Sequence, residues 1–379
     1  MPLYLDEDQQ MLADTASEFM AEQGGIEKQL RHWRDKGCKD GFGHGLWEQF
    51  AEMGFTGMMV DEDHGGLGMG HAEAGIVLEQ IGRNLTPSPF LTSSVMAASA
   101  LDAASDDLKG RWLPGLVEGK SVFAVAVDEG PKHNPQSIKT RAEKSGNGFK
   151  LTGAKTFVVQ GASADMLVVA ARTSGGDADD DGITLFAVPR DAANMTQDPV
   201  RLVDSSMASH ITFDGVELDG DAVIGDVDGG RAVLNKMLSA GRAGAASEGV
   251  GVAGGAFDMT TEYLKQRKQF GKLIGEFQAL QHRAAHVYSE LEIARATAIK
   301  AAQMLDEDAE KADLIVSVAK AKVGKVARLA VQEGVQMHGG IGMTDEYDIG
   351  LFMKRDRALH EFLGDHYFHA DRVARLSGY

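Results

Sequence analysis

The spacing of apolar residues divides the chain into a helical part, a part with the periodicity of strands, and a second helical part. In the first part, Asp6 is predicted to cap a helix that runs to Met20 and has one apolar face. That face consists of Met11, Leu12, Ala16, Phe19 and Met20. Further helices are predicted over residues 46–53, 72–81, 94–104 and 107–118, and the glycine-rich stretch 61–70 is predicted to be a loop.

The middle part changes to short segments rich in β-branched and aromatic residues, which predict strands. These segments cover residues 121–128, 148–152, 156–160, 166–171, 183–189 and 211–213. Gly146, Asn147 and Gly148 are typical of a hairpin turn. Because no helical pattern separates the segments, we expect a small antiparallel barrel or sandwich. The acidic residues 177–181 are expected to form a mobile, solvated loop rather than a calcium site.

Helical spacing returns at Gly229 and continues to Leu376, with long helices predicted over residues 277–305 and 312–337. These lengths and the short connections predict an antiparallel bundle. Residues 239–257 are crowded with Gly and Ala. Glycine costs helix stability, so we expect another helix or a flat ligand to approach this backbone closely. The pattern as a whole predicts an α+β protein with three domains: residues 1–119, 120–228 and 229–379.

Composition and charge narrow the classes of function. Of the 379 residues, 43% are hydrophobic and 25% are charged, and the net charge of -18 argues against a nucleic-acid surface, which requires clustered Lys and Arg. Cys38 is the single cysteine, so no internal disulfide can form and a reducing, cytoplasmic location is expected. There is no apolar run of about 20 residues and no secretion signal, so we expect neither membrane insertion nor export. No metal site is predicted.

The stretch from Tyr263 to Ala285 contains the clearest candidate chemistry. Arg267 and Phe270 are predicted to lie one turn apart at the end of a helix, just before Gly271. A guanidinium suits a phosphate because its N–H groups match two oxygens at once. The alternative is an arginine that only stabilises the C-terminal end of a helix.

Two motifs lie about 70 residues apart, R-K-Q-F-G-K-L-I-G-E-F-Q-A-L-Q-H at residues 267–282 and V-Q-M-H-G-G-I-G-M-T-D-E-Y at residues 335–347. Both resemble the C-terminal helical domain of the acyl-CoA dehydrogenase superfamily, and weaker similarity extends over nearly the whole chain. The resemblance implies an N-terminal helical domain, a central antiparallel β-domain and a C-terminal four-helix bundle. It also implies FAD shared across an interface in a homo- or heterotetramer, an acyl-CoA substrate, and electron-transfer flavoprotein or a similar electron acceptor.

The same resemblance implies which residues contact FAD. In the helical part they are Arg267, Phe270, Gln278, Gln336, Gly339 and Gly340. Glycines let backbone N–H groups approach a pyrophosphate, and Arg balances its charge, although Gly339 and Gly340 are also typical of a helix C-cap. In the β-part, Phe157 is expected near the flavin ring. Val159 and Val127 stand where the family has hydroxyl-bearing residues and cannot supply those hydrogen bonds.

The glutamate with which the family removes the α-proton is missing. Family members carry it in I-Y-E-G-[ST], and the matching stretch is L-H-E-F-L-G-D at residues 359–365. Aligning Gly364 with the motif's glycine puts Leu363 at the base, whereas aligning Arg355 and Asp356 with the preceding R-D puts Gly364 there. The isovaleryl-type branch carries its glutamate at the position of Gly241. None of these three residues accepts a proton.

The L-G-D ending resembles the small subunit of pimeloyl-CoA dehydrogenase and the partners in heteromeric steroid side-chain dehydrogenases, which pair with a larger subunit that carries the base. Glu248 is the remaining local candidate for a catalytic base, and a hydrogen-bonded structural glutamate is its alternative. Asp365 is expected to contact cofactor or backbone, and Glu361 is expected to be solvated.

Three functions therefore stay open. The first is an FAD-dependent acyl-CoA dehydrogenase subunit for a bulky or dicarboxylic acyl-CoA. The second is a non-catalytic partner of a larger subunit, and the third is a flavin oxidase or monooxygenase on the same fold.

Overall fold

The structure is a computed structural model that describes residues 3–379. Its α-helices are α1 (Glu7–Gln23), α2 (His32–Asp35), α3 (His44–Glu52), α4 (His71–Asn84), α5 (Ala98–Leu101), α6 (Asp106–Val117), α7 (Gly230–Gln266), α8 (Gln278–Glu307), α9 (Ala312–His338), α10 (Ile349–Glu361) and α11 (His366–Leu376). Its strands are β1 (Phe123–Ala126), β2 (Arg141–Ser145), β3 (Gly148–Val159), β4 (Met166–Arg172), β5 (Ile183–Pro189), β6 (Met195–Arg201), β7 (Met207–Leu218), β8 (Val223–Ile224), β9 (Lys268–Gln269) and β10 (Lys272–Leu273). A π-helical segment, Leu91–Ala97, overlaps the first four residues of the predicted helix 94–104, and α5 follows it directly. No helix in the described range is long and apolar enough to cross a membrane.

The chain forms two compact units. The helical unit contains the residues up to His32, together with His71–Thr86 and Arg242–Tyr379, and the sheet unit contains Trp33–Gly70 and Pro87–Gly241. Within residues 3–379, the sheet unit has one eight-stranded sheet in the order β6-β7-β3-β2-β4-β5-β8, with β1 paired to β4. The β2–β3 hairpin closes where the turn was predicted, with Ser145 opposite Gly148.

Two strand pairs in this sheet are parallel, β1–β4 and β2–β4, whereas the sequence predicted an antiparallel domain. Pairs such as β3–β7, β4–β5 and β6–β7 are antiparallel. The alternation of apolar and polar residues reports which side chains face the core and carries no information on the direction of a neighbouring strand. The expectation of an antiparallel domain therefore holds for most of the sheet and is wrong for these two pairs.

The acidic loop between β4 and β5 is held by a buried arginine. The Arg172 side chain is almost fully buried, and its guanidinium donates to the backbone carbonyls of Asp181 at 2.6 Å and of Asp177 and Asp179 at 3.0 Å each. The loop that was expected to be mobile thus has three backbone oxygens bound by a buried guanidinium. Nothing in the sequence signals this, because Arg172 directly follows the predicted strand 166–171 and a charged residue there is expected to be solvated.

The helical unit packs α1 and α4 with the C-terminal part of α7 and with α8–α11. Asp6 caps α1 as predicted, accepting a hydrogen bond from the Gln9 N–H at 2.9 Å, and the helix continues to Gln23. The predicted apolar face is wrong at Met11, which is 63% exposed, whereas Gln9 is buried and donates to Glu73. A glutamine can be buried when a carboxylate accepts its hydrogen bond, and a search for apolar residues alone does not find such a position.

The glycine-rich part of α7 receives another helix, α4. An ideal Cβ on Gly82 would lie 2.1 Å from the carbonyl oxygen of Glu248, and one on Gly251 would lie 2.0 Å from that of Glu79. One on Gly255 would meet a third carbonyl, that of Arg83, at 2.5 Å. These positions admit only glycine, so the close approach predicted from residues 239–257 is confirmed, and its agent is a helix.

Candidate functional site

The segment after α7 is a short hairpin and does not continue the helix. α7 ends at Gln266, and the N–H of Arg267 makes a last helical bond to the carbonyl of Tyr263 at 2.9 Å. Strands β9 and β10 then pair across Phe270 and Gly271, whose φ angles are +54° and +81°. Positive φ at both central residues is the geometry of a two-residue hairpin turn. The prediction that Arg267 and Phe270 lie one turn apart on a helix was therefore wrong.

The predicted flavin contacts in this hairpin face outward. The Phe270 side chain is 91% exposed, and both Arg267 and Gln278, the first residue of α8, are exposed. An exposed aromatic ring in a segment that also carries an exposed arginine is available for contact with another molecule. Within the helical unit, this hairpin can therefore offer a planar apolar contact and a phosphate-matching cation to an external ligand.

Gln336, Gly339 and Gly340 lie where α9 ends. Gly339 is the C-cap of α9, with φ +65° and ψ -140°, and its N–H bonds to the carbonyl of Gln336. All three residues are exposed, and an ideal Cβ on either glycine would meet nothing within 4 Å. The positive φ angle explains why residue 339 is a glycine. No contact within this chain requires a glycine at position 340, and the backbone there is open to a ligand.

Phe157, the site residue predicted in the sheet unit, lies on a bulge of β3. Its φ is +52°, and the pairing of β3 with β7 shifts register between Lys155 and Val158. A bulge re-aims a side chain, and a non-glycine residue with positive φ persists only where its surroundings hold it. The half-buried Phe157 ring is therefore placed by a specific backbone irregularity rather than by the regular pleat.

A buried ion pair holds the segment around Val127, the residue that lacks the family's hydroxyl. Lys155 is fully buried and donates to the carbonyl of Val127 at 3.0 Å and to Glu129 at 2.6 Å. Glu129 also accepts the N–H groups of Lys139 and Thr140. Burial lowers the pKa of Lys155, while Glu129 opposes that effect. Alternation along β3 gave no sign that an inward position holds a lysine.

Glu248, the candidate base, is bound to an arginine. It is 2% exposed, and its Oε1 accepts hydrogen bonds from Arg355 Nε at 2.7 Å and from a terminal guanidinium nitrogen at 2.5 Å. A buried carboxylate with a paired guanidinium is satisfied structurally. A substrate proton would have to compete with Arg355 for this oxygen.

The turn between α10 and α11 favours one of the two alignments of the missing base. Gly364 has a φ of +101°, and an ideal Cβ there would lie 2.4 Å from Cδ1 of Phe368. Only glycine fits such a position, which favours aligning Gly364 with the motif's glycine and Leu363 with the base. Leu363 is buried, with φ +60°, and its carbonyl is 3.0 Å from His369 Nε2.

Asp365 and Glu361 flank this turn. Asp365 caps α11, accepting the N–H of Phe368 at 2.8 Å, so its expected backbone contact is present. Glu361 is half-buried and pairs with Arg357 at 3.0 Å, so the expectation of a freely solvated side chain was wrong.

A group of buried titratable side chains, which was not predicted from the sequence, lies beside this turn. Lys320 donates to the carbonyl of Leu359 at 3.1 Å, and His366 Nδ1 lies 3.0 Å from His360 Nε2, so one imidazole donates and the other accepts. Burial lowers the pKa of Lys320 to about 8, against the charge of Asp356. Burial raises the pKa of Asp356 to about 7, against the charge of Lys320. The sequence signal for such a group is polar residues at helical spacing within an apolar stripe.

Family models match three consecutive parts of the chain. The acyl-CoA dehydrogenase N-terminal domain matches residues 6–120, the middle domain residues 125–216, and the C-terminal domain residues 228–377. These matches and the element order confirm the predicted fold class and the resemblance from which the sequence analysis argued.

Individual proteins agree with this match. Acyl-CoA dehydrogenase FadE12 of Mycobacterium tuberculosis is 29% identical over 361 residues, which cover 93% of this chain and 91% of FadE12. A variant of the Tcur3481–Tcur3483 steroid ACAD superposes with a TM-score of 0.88 at 27% identity, covering 98% of both chains. The ChsE4–ChsE5 complex from Mycobacterium tuberculosis superposes with a TM-score of 0.90 at 25% identity, covering 100% of both chains.

Proposed function

This chain belongs to the acyl-CoA dehydrogenase family, and we propose that it is a subunit of an FAD-dependent enzyme that oxidises an acyl-CoA between its α and β carbons. The observation that carries the proposal is the outward-facing cation, ring and open glycine backbone of the helical unit, at Arg267, Phe270 and Gly340. When bound, FAD would accept the hydrogen that leaves the β carbon as a hydride.

The residues present fit such a cofactor. The Arg267 guanidinium suits the pyrophosphate, the Phe270 ring offers a planar contact, and Gln278 and Gln336 donate without adding negative charge. The open backbone after Gly339 lets N–H groups approach an anion. Because these groups point away from their own unit, we propose that they serve a flavin bound mainly by another subunit, in a homo- or heterotetramer. Phe157 and Asp365 complete the proposed contact set.

The proposed domain borders follow changes in element type. α6 ends at Val117 and β1 begins at Phe123, while β8 ends at Ile224 and α7 begins at Gly230. We therefore propose domains at residues 1–119, 120–228 and 229–379.

The reaction also needs a catalytic base, and the family's usual glutamate is absent from this chain. The proton on the α carbon needs an acceptor, and Leu363, Gly364 and Gly241 have none. Glu248 is the tentative catalytic residue, and Arg355 occupies one of its oxygens. Glu248→Gln keeps an amide oxygen for Arg355 but removes proton acceptance, so it separates a structural role from a catalytic one. If Glu248 is the base, this variant should fold normally, bind FAD and lose flavin reduction.

The second candidate function is a non-catalytic partner that completes the flavin site of a larger subunit. It is favoured by the apolar residue at the base position, since Leu363 is buried and the turn around it is fixed by Gly364. Two of the similar structures carry paired names, Tcur3481–Tcur3483 and ChsE4–ChsE5.

We propose a bulky or dicarboxylic acyl-CoA as substrate and electron-transfer flavoprotein or a similar protein as the electron acceptor.

One experiment distinguishes these functions. The chain is purified alone, and again with a co-encoded homologue that carries the family glutamate, and each sample is titrated anaerobically with acyl-CoAs while the visible flavin spectrum is recorded. Reduction in the chain alone supports a complete active site. Reduction only in the mixture supports the partner function, and the absence of FAD from both preparations would refute the proposal.

Arg267→Ala tests the cofactor contact directly. A bidentate charge-assisted contact contributes about 1.5–3 kcal/mol, so FAD should bind at least about tenfold more weakly. Arg111→Ala is the matched control, because Arg111 forms an exposed ion pair with Asp221 at 2.6 Å in the sheet unit. Equal FAD affinity in wild type and Arg267→Ala would show that this arginine does not hold the cofactor.

A further inference from the structure

Three aromatic rings join the two flavin motifs inside the helical unit. Tyr263 and His338 stack with ring centroids 4.4 Å apart and an interplanar angle of 27°. Tyr347 packs against both, with centroids 6.0 Å from Tyr263 and 4.8 Å from His338. Tyr263 lies one helical turn before Arg267, and His338 directly precedes Gly339. We call these three side chains the ring stack.

His338 is oriented by its own helix. Its Nδ1 is 2.7 Å from the carbonyl oxygen of Gly334, and since a carbonyl only accepts, Nδ1 carries the proton. Its Nε2 is buried and has no hydrogen-bond partner within residues 3–379, and burial lowers the pKa of the ring. A neutral imidazole whose donor is used on the preceding turn can act as a flat packing group.

Glycines bring the neighbouring segments close enough for the rings to touch. An ideal Cβ on Gly334 would lie 2.9 Å from Ile349 Cδ1 on α10 and 3.0 Å from Thr260 Oγ1 on α7. One on Gly342 would lie 3.0 Å from the Cβ of His338. A larger residue at either position would force these neighbouring groups to shift, so the surroundings of the ring stack are closely packed.

We propose that Tyr263, His338 and Tyr347 are positioning residues that hold the exposed hairpin and the open end of α9 at the spacing the flavin requires. This inference rests on the proposed function. His338 is the central member, because it contacts both tyrosines. Without its ring, the hairpin and the end of α9 can move independently, and part of the binding free energy is then used to restore their spacing.

The test compares His338→Ala with His338→Phe in the full-length protein. FAD is titrated into each apoprotein to obtain a dissociation constant, the visible spectrum of bound FAD is recorded, and the melting temperature of each apoprotein is measured. We expect His338→Ala to raise the dissociation constant at least about tenfold, which corresponds to about 1.4 kcal/mol. His338→Phe keeps a flat ring without the Nδ1 donor, so it should bind within about threefold of wild type.

Tyr288→Leu is the matched control, because Tyr288 is 53% exposed and contacts only a single ring, that of Phe257, among the ring pairs of the described residues. It should leave FAD affinity unchanged. If His338→Ala destabilises the apoprotein too far for titration, Tyr263→Leu replaces it in the same measurement, with the same expected loss.

Each outcome decides between the proposals. If His338→Ala and Tyr263→Leu bind FAD as tightly as the wild type does, the ring stack is not a positioning element. The proposed function is unaffected by that result. Folded His338→Phe that is as weak as His338→Ala also overturns it, because the ring alone is then not the agent. Wild type that binds no FAD overturns both proposals.

Discussion

Replacing Leu363 by glutamate tests whether this chain lacks only a base. The turn geometry favours the alignment of Leu363 with the family glutamate, since position 364 requires glycine. If the chain otherwise holds FAD and acyl-CoA productively, Leu363→Glu should create flavin reduction that wild type lacks. A positioned general base contributes about 10²–10⁴-fold, so the rate should rise at least about 100-fold.

The structure also sets the cost and the pH dependence of this change. Leu363 is 4% exposed, and giving up its burial costs about 1.5–3 kcal/mol, so a lower melting temperature is expected. Burial disfavours the charged form of a carboxylate and raises its pKa. The base is active only when deprotonated, so the new activity should increase as the pH rises.

The assay is anaerobic stopped-flow reduction of bound FAD by acyl-CoA, followed in the visible spectrum. Leu363→Gln is the matched control, since it has similar size and polarity but accepts no proton. Gly364→Glu is the second control, because at a φ of +101° a Cβ would lie 2.4 Å from Phe368, at a backbone cost of about 1–3 kcal/mol. It should be unstable and inactive. Equal rates for folded, FAD-bound Leu363→Glu and Leu363→Gln would refute the alignment.

Three further predictions concern stability. Gly251→Ala should lower the free energy of unfolding by about 1–3 kcal/mol, because its Cβ would lie 2.0 Å from a carbonyl oxygen. Gly110→Ala, where the Cβ would have open space, should raise the free energy of unfolding by about 0.5–1 kcal/mol. Denaturant titration measures both changes, and two changes of the same sign would refute the packing argument. Lys155→Met should cost roughly 3 kcal/mol in the same titration, since Glu129 stays buried without its cation, and a neutral result would show that the pair is dispensable. Burial and then the charge of Lys320 lower the pKa of His360 from 6.5 to about 4, so its contribution to stability is complete above pH 6.5 and is lost as the pH falls toward 4. His360→Gln should reduce the slope of melting temperature against pH in that window, and an unchanged slope would contradict the assignment.

The strands show what periodicity can and cannot predict. Ile183–Pro189 was predicted with the bounds that β5 has, because the segment is rich in β-branched and aromatic residues and is buried almost throughout. β6 was missed, since Met195–Arg201 is polar and largely exposed. β3 was predicted as two pieces, and the gap between them precedes the irregular pairing after Lys155. Strands were therefore recognised where burial is extensive and lost where one face is solvated.

The helices illustrate the same limit at the tertiary level. The glycine content of residues 239–257 predicted a close neighbour, but only the fold identifies α4 as that neighbour, because the contact joins segments about 170 residues apart such as Glu79 and Gly251. The hairpin at Phe270 was mistaken for a helix end, since two-residue strands are too short to show a period.

The candidate site likewise has a part that could be predicted from the sequence and a part that only the structure shows. The motifs around Arg267 and Gln336 were located by resemblance, and the structure adds that both are exposed. The contact between the two motifs through His338 was not predicted, because the sequence of a helix does not show which ring a histidine in it will stack on. The partner of Glu248 was likewise unknown until α10 placed Arg355 against it.

The outward flavin contacts and the apolar base position together constrain the active assembly. If Arg267 and Phe270 serve a flavin that another chain binds, each flavin needs two chains. In a homo-oligomer every copy carries Leu363, so every site lacks the family glutamate and depends on Glu248, which is bound to Arg355. In a hetero-oligomer the second chain can supply the glutamate. An active enzyme that tolerates Glu248→Gln should therefore contain two kinds of subunit, and light scattering with mass analysis of the active fraction would detect the second.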